Sequence, residues 1–157
     1  MKKILIALDY DPSAQNVAES GYALANSMQA NVTLLHVMAD YAYYSSVNYS
    51  PIMGFNSFIN SDFSQVAESE ALTKAAEDFL IKTRTFLGDE SIQVLIKDGN
   101  AGDQILETAK EMNADFIVLG KHSRSVIEKI IMGSVTQKVL QQSKIPLLII
   151  PTETESE

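Results

Sequence analysis

Apolar residues fall along this chain in short runs separated by longer, periodic segments. Ile4–Leu8, Val32–Val37, Ile92–Ile96, Phe116–Leu119 and Leu147–Ile150 are runs of mainly aliphatic residues. Most are continuously apolar rather than alternating, the pattern of parallel strands covered on both faces. Between them, apolar positions recur at helical spacing. Asp11 can cap a first helix, with Pro12 at the first helical position, where its missing N–H costs nothing; Val17, Gly21, Leu24 and Met28 then mark one face. A second helix is predicted from about Ser64 to Leu87, with Leu72, Ala75, Ala76, Phe79, Thr83 and Phe86 inward and Gly88 as its stop. A third is predicted from about Asp103 to Met112, with Ile105, Ala109 and Met112 inward. A fourth starts at Ser134 and ends near Ser143, before Pro146.

This alternation predicts an α/β fold: an open, doubly wound parallel sheet of five strands, order 3-2-1-4-5, with helices on both faces. In such sheets ligands bind beyond the carboxyl ends of the strands, where the order reverses. That point falls between strands 1 and 4, so the relevant loops follow Asp9 and Gly120. Residues 39–62 break the pattern. They carry Tyr41, Tyr43, Tyr44, Tyr49, Phe55 and Phe58 among Ser, Asn, Pro and Gly. Such an excursion either packs on its own domain or serves as a lid or dimer contact.

A length of 157 residues fits one domain over 1–151, with 39–62 as an insertion and 152–157 as an acidic tail. A domain of that size buries roughly 70% of its unfolded surface and needs no staple. The absence of Cys excludes thiol redox chemistry and Cys-based metal sites. No stretch approaches the roughly 20 apolar residues of a membrane span, and the first apolar run is too short for a signal core. A cytoplasmic protein without membrane association is expected. The net charge of −8 argues against nucleic acid as a partner. It also makes one local exception informative: Lys121, Arg124, Lys129, Lys138 and Lys144 share a stretch with a single acid, Glu128. That cationic region suits an anionic ligand.

The same stretch holds Gly120-Lys121-His122-Ser123-Arg124 and, after an apolar segment, Gly133-Ser134-Val135-Thr136-Gln137. Gly120 follows a strand, where a sharp turn calls for positive φ. Gly133 lets backbone approach a ligand closely, and Ser134 with Gln137 forms a capping-box pattern. A helix amino end presents unpaired N–H groups and partial positive charge, which suits phosphate. Hydroxyls of Ser123, Ser134 and Thr136 add donors, and Arg124 or Lys121 adds charge-assisted bonds. Plain capping by small turn residues is the alternative. Neither a Walker loop nor a Rossmann fingerprint is present. His36 lies in an apolar strand and reads as a satisfied core residue, whereas His122 sits in the candidate phosphate loop. No nucleophile–base–orienter set and no metal-ligand set emerges.

Nearly the whole chain, apart from the aromatic segment and the tail, resembles the universal stress protein family. The resemblance is carried by Lys3-Ile4-Leu5-Ile6-Ala7-Leu8-Asp9 with Ser13, by Leu34-Leu35-His36-Val37, by Asp98-Gly99-Asn100-Ala101, and by Asn113 to Gly120. Its nucleotide-binding members carry Gly, two residues, Gly, nine residues, Gly, then Ser or Thr. This chain keeps that spacing in Gly120, Ser123, Gly133 and Ser134, with Ser123 in place of the middle glycine. The resemblance implies base and ribose contacts at Ala7, Leu8, Asp9 and Val37, with Asp9 accepting from the ribose hydroxyls. It implies phosphate contacts at Gly120, Ser123, Arg124, Gly133, Ser134, Val135 and Thr136, with His122 in the same loop. The ligand implied is ATP or another adenine nucleotide, with Mg²⁺ as an optional companion. The function implied is regulation in the stress response, with at most slow hydrolysis. It also implies a homodimer joined through the last strand, and a protein partner of unknown identity.

Two other readings share the fold. One is a dimeric partner-binding module that holds no nucleotide, which Ser123 favours. The other is a phospho-receiver domain, for which Asp9, Asp11 and Asp98 superficially fit, while Lys144 precedes its strand and Pro151 follows it.

Overall fold

The computed structural model describes residues 1–9, 13–38, 65–121 and 134–152. Five parallel strands, β1 (Lys3–Ala7), β2 (Asn31–Met38), β3 (Gln93–Asp98), β4 (Phe116–Gly120) and β5 (Leu147–Ile150), form one sheet in the order β3-β2-β1-β4-β5. The helices are α1 (Ala14–Ser27), α2 (Gln65–Leu87), α3 (Ala101–Glu111) and α4 (Ser134–Gln142). Strand class, order and central position of β1 match the sequence expectation.

The apolar runs are continuous because the two faces of the sheet are buried against different helices. Ile4 and Ile6 of β1 point into a core with Val17, Ala18 and Ala25 of α1 and Leu80 of α2. Leu5, between them, points the other way, with Leu35, Ile117 and Leu119, against Ile105 and Ala109 of α3 and Val139 of α4. Ile4, Leu5 and Ile6 are all fully buried. Removing each such side chain from water contributes about 1.5–3 kcal/mol, so β1 fixes the register of its neighbours. It pairs Ile6 with Leu34 of β2 and with Val118 of β4.

Boundaries differ locally from the sequence reading. Ser13 is the N-cap of α1, and Val17 N–H donates to its carbonyl, so the helix begins at Ala14; Asp11 and Pro12 lie outside the described residues. α3 begins at Ala101 rather than Asp103, because the Asn100 side chain accepts from Asp103 N–H and caps the first turn. On α2 the inward stripe runs through Leu72, Ala76 and Leu80, and Phe86 is 58% exposed instead of inward. A step of three to Thr83 and a step of four carry the stripe from Leu80 to Leu87, which packs on the core, and leave Phe86 to one side. Gly88 ends α2 at φ 74°, as the pattern required. The aromatic segment 39–62 and the tail from 153 onward lie outside the described residues.

Gly21 lets α1 lie close on the strands. A Cβ there would stand 2.8 Å from Ile6 Cδ1 and 3.1 Å from Val118 Cγ1. Gly21→Val is expected to destabilise the protein by about 1–3 kcal/mol through overpacking, despite its better helix propensity. Chemical denaturation would show it as a lower midpoint at constant slope, and an unchanged midpoint would refute the close contact.

Candidate functional site

The carboxyl ends of β1 and β4 lie side by side where the strand order reverses, and the sequence-predicted residues gather there from both sides. On the β1 side, Ala7 and Val37 share the face covered by α3 and α4, with Val37 buried and Ala7 half-buried. Leu8 lies on the opposite face, in the α1–α2 core, and Asp9 is half-buried just beyond it. Leu8 continues the ladder one residue past β1, its N–H donating to Leu35 O at 2.8 Å. Its carbonyl is held by a side chain: His36 Nδ1 lies 2.8 Å from Leu8 O. A carbonyl only accepts, so Nδ1 carries the proton.

On the β4 side, Gly120 is the last strand residue, paired with Ile150, and Lys121 N–H donates to Ile150 O at 2.8 Å. The expected turn with positive φ is not found at Gly120. Among the described glycines positive φ occurs at Gly88 and Gly99, because pairing with β5 keeps Gly120 extended. Helix α4 returns to this point. The Thr136 hydroxyl donates to Gly120 O at 2.8 Å, and Thr136 is buried, so the first turn of α4 is fastened to the end of β4. Val135 packs half-buried into the α3–α4 core.

Lys138, in the next turn, holds α4 against α3. Its Nζ lies 2.8 Å from Asp103 Oδ1 and 3.2 Å from Asn100 Oδ1. Gly102 makes room for its stem, since a Cβ there would meet Lys138 Cδ at 2.8 Å. One cation of the basic stretch is thereby engaged within the fold. The sequence reading missed this contact, although Asn three residues before Asp103 is a capping signal.

Thus Ala7, Asp9, Val37, Gly120, Val135 and Thr136 converge on one end of the sheet. His122, Ser123, Arg124 and Gly133 lie outside the described residues, as does the Ser134 side chain. No group of three or more His, Asp or Glu able to hold a metal occurs among the described residues. The phospho-receiver reading is overturned by topology. Asp98 ends β3 at the sheet edge, and β2 separates it from Asp9, so the two are two strand spacings apart, about 10 Å, instead of adjacent.

The electrostatics single out His36. It is 1% exposed, with its ring edge-on to Phe79 at a centroid distance of 6.5 Å. Burial lowers its pKa below 6.5, opposed by the bond to Leu8 and by the nearby Asp9 charge. Asp115 is held below 3.8 chiefly because its carboxylate accepts from Lys3 N–H, and Asp89 chiefly because it accepts from the Ser91 hydroxyl. Asp115 thereby ties the start of β4 to the start of β1.

Residues 1–151 match the universal stress protein family, and the chain belongs to that family. It is 26% identical to universal stress protein MJ0577 of Methanocaldococcus jannaschii, over 95% of this chain and 94% of that one. It is likewise 26% identical to universal stress protein YxiE of Bacillus subtilis, over 94% of this chain and 97% of that one. Among solved structures, MJ0577 superposes with a TM-score of 0.74 at 24% identity, covering 98% of both chains. A universal stress protein in complex with cAMP superposes with a TM-score of 0.62 at 20% identity, over 97% of this chain and 98% of that one. No helix among the described residues is long and apolar enough to cross a membrane.

The buried imidazole makes stability depend on pH. The unfolded chain takes up a proton near pH 6.5, while folded His36 takes it up only at lower pH. Below 6.5 the unfolded state therefore binds more protons, and stability falls as pH falls. The Asp89 and Asp115 contributions are lost only below 3.8. Thermal unfolding of wild type should show a falling Tm from pH 6.5 towards the carboxylate range, and His36→Leu should flatten that slope. Equal slopes in the two proteins would remove His36 as the cause.

Proposed function

We propose that this universal stress protein family member binds an adenine nucleotide, ATP or an AMP-type ligand, beyond the carboxyl ends of β1 and β4, and acts as a stress-response regulator through its occupancy. The observation that carries the reading is the Thr136–Gly120 hydrogen bond. It sets the amino end of α4, with its partial positive charge, at the end of β4, where the sheet order reverses. Asp9 then faces the ribose, Ala7 and Val37 form the base end, and Gly120, His122, Ser123, Arg124 and Gly133 through Thr136 receive the phosphates. Leu8, expected at the base end, lies on the opposite face with its N–H and carbonyl both committed to β2, and supports the site from behind. The Thr136 hydroxyl proton is committed to Gly120, so this residue would serve the phosphates through its backbone N–H. A similarly folded universal stress protein is in complex with cAMP, which supports an adenine nucleotide as the class of ligand. Mg²⁺ would accompany a triphosphate. Hydrolysis, if any, would be slow.

Calorimetric titration with ATP and Mg²⁺ tests this. Wild type should bind in the micromolar range, and Gly133→Asp should abolish binding by placing a carboxylate against the phosphates. Absence of heat with wild type at millimolar ATP would sink the reading. It would leave the second one, a dimeric partner-binding module without nucleotide, which Ser123 in the position of a motif glycine favours.

We further propose a homodimer joined through β5, an edge strand of half-buried Leu147, Leu148 and Ile149. The carbonyls of Pro146 and Ile150 face β4, so by alternation Leu147 and Ile149 turn their peptide groups outward. Ile149→Lys is expected to convert the dimer to a monomer in sedimentation equilibrium with little change in Tm. A wild-type monomer at high concentration would refute the proposal.

A further inference from the structure

His36 has a place in this site that neither the motif nor the family match assigns. Side chains alternate along β2, so His36 lies on the sheet face opposite Val37, against Phe79 of α2. A ligand lying on Val37 is therefore out of its reach. What His36 does reach is the backbone of β1 at the point where that strand gives way to the site. Leu8 is anchored to β2 twice, by its N–H to Leu35 O at 2.8 Å and by its carbonyl to His36 Nδ1 at 2.8 Å. Successive residues of a strand turn their peptide groups to opposite neighbours. Fixing both groups of Leu8 towards β2 therefore turns the Asp9 peptide towards β4, the side on which the order reverses. The symmetric counterpart is the Thr136 bond to Gly120 O, which fixes the end of β4.

We propose that His36 is a positioning residue of the nucleotide site: by donating to Leu8 O from behind the sheet it holds Asp9 in register with the ribose, without touching the ligand. This inference rests on the adenine-nucleotide reading given above. It accounts for a polar ring at a fully enclosed position where an aliphatic residue would fill the core equally well. The donor must sit at the δ position, because that is the atom that reaches the carbonyl.

The experiment compares ATP–Mg²⁺ affinity, by calorimetry well below each Tm, for wild type, His36→Leu and His36→Asn. Leucine keeps apolar bulk and removes the donor. Asparagine loses the ring packed on Phe79 but carries an amide N–H where Nδ1 stood. His36→Leu should weaken binding at least about tenfold, and His36→Asn should stay within about threefold of wild type. A merely structural role would instead make affinity follow Tm, whichever variant is the less stable. Wild-type affinity in His36→Leu, or equal losses in both variants, overturns the positioning role and leaves the nucleotide reading standing. Absence of ATP binding by wild type overturns both. Should His36→Leu not fold, His36→Gln takes its place, since its amide extends one bond too far to serve Leu8 and should show the same weakening.

Discussion

The burial of β1 on both faces is the constraint from which the rest of this structure follows. Ile4, Leu5 and Ile6 are enclosed completely, with alternate side chains directed into two separate cores. A one-residue slip would exchange those cores and place every neighbour on the wrong face. Because β1 pairs with both β2 and β4, its register sets theirs. The open end of the sheet between β1 and β4 is thus defined by the packing of three aliphatic residues, at some distance from any polar group of the site.

At that end the backbone leaves regular pairing, and individual side chains take over from the ladder. His36 holds the Leu8 carbonyl, Thr136 holds the Gly120 carbonyl, and Lys138 spans from α4 to Asn100 and Asp103. The first is a buried bond whose loss would leave a carbonyl without that partner, at a cost of about 1–3 kcal/mol, and the second is part-buried, so its loss would cost less. Lys138 is partly exposed, so its ion pair contributes less to stability and more to the relative placement of α3 and α4. Together these contacts place an acidic residue, Asp9, on one side of the strand reversal and a helix amino end on the other. The ribose diol and phosphate chain of the ligand proposed above are complementary to that pair.

The cAMP-bound structure and MJ0577 share this architecture over nearly their whole length. Family membership therefore constrains the scaffold strongly, whereas the proposed occupancy turns on residues 120–136. The two readings proposed above differ in what they ask of position 123, where this chain has Ser and the nucleotide-binding pattern has Gly.

The five strands, their order and the inward residues of α1 and α3 were legible in the sequence, because double-sided burial leaves an unbroken aliphatic run and helical burial leaves a periodic one. The switch point was legible for the same reason, as a consequence of strand order. Three features were decided only in the folded chain. Gly120 reads as a turn glycine but stays extended, since pairing with Ile150 lies 30 residues ahead in sequence. Phe86 reads as inward but is exposed, since helical rotation over six turns accumulates beyond what a short stripe reveals. His36 reads as an ordinary buried histidine, and its bond to Leu8 spans 28 residues. Periodicity is a local property that residues report on their own. Which carbonyl a buried donor meets depends on where two distant segments come to lie, and that is settled only when the sheet closes around β1.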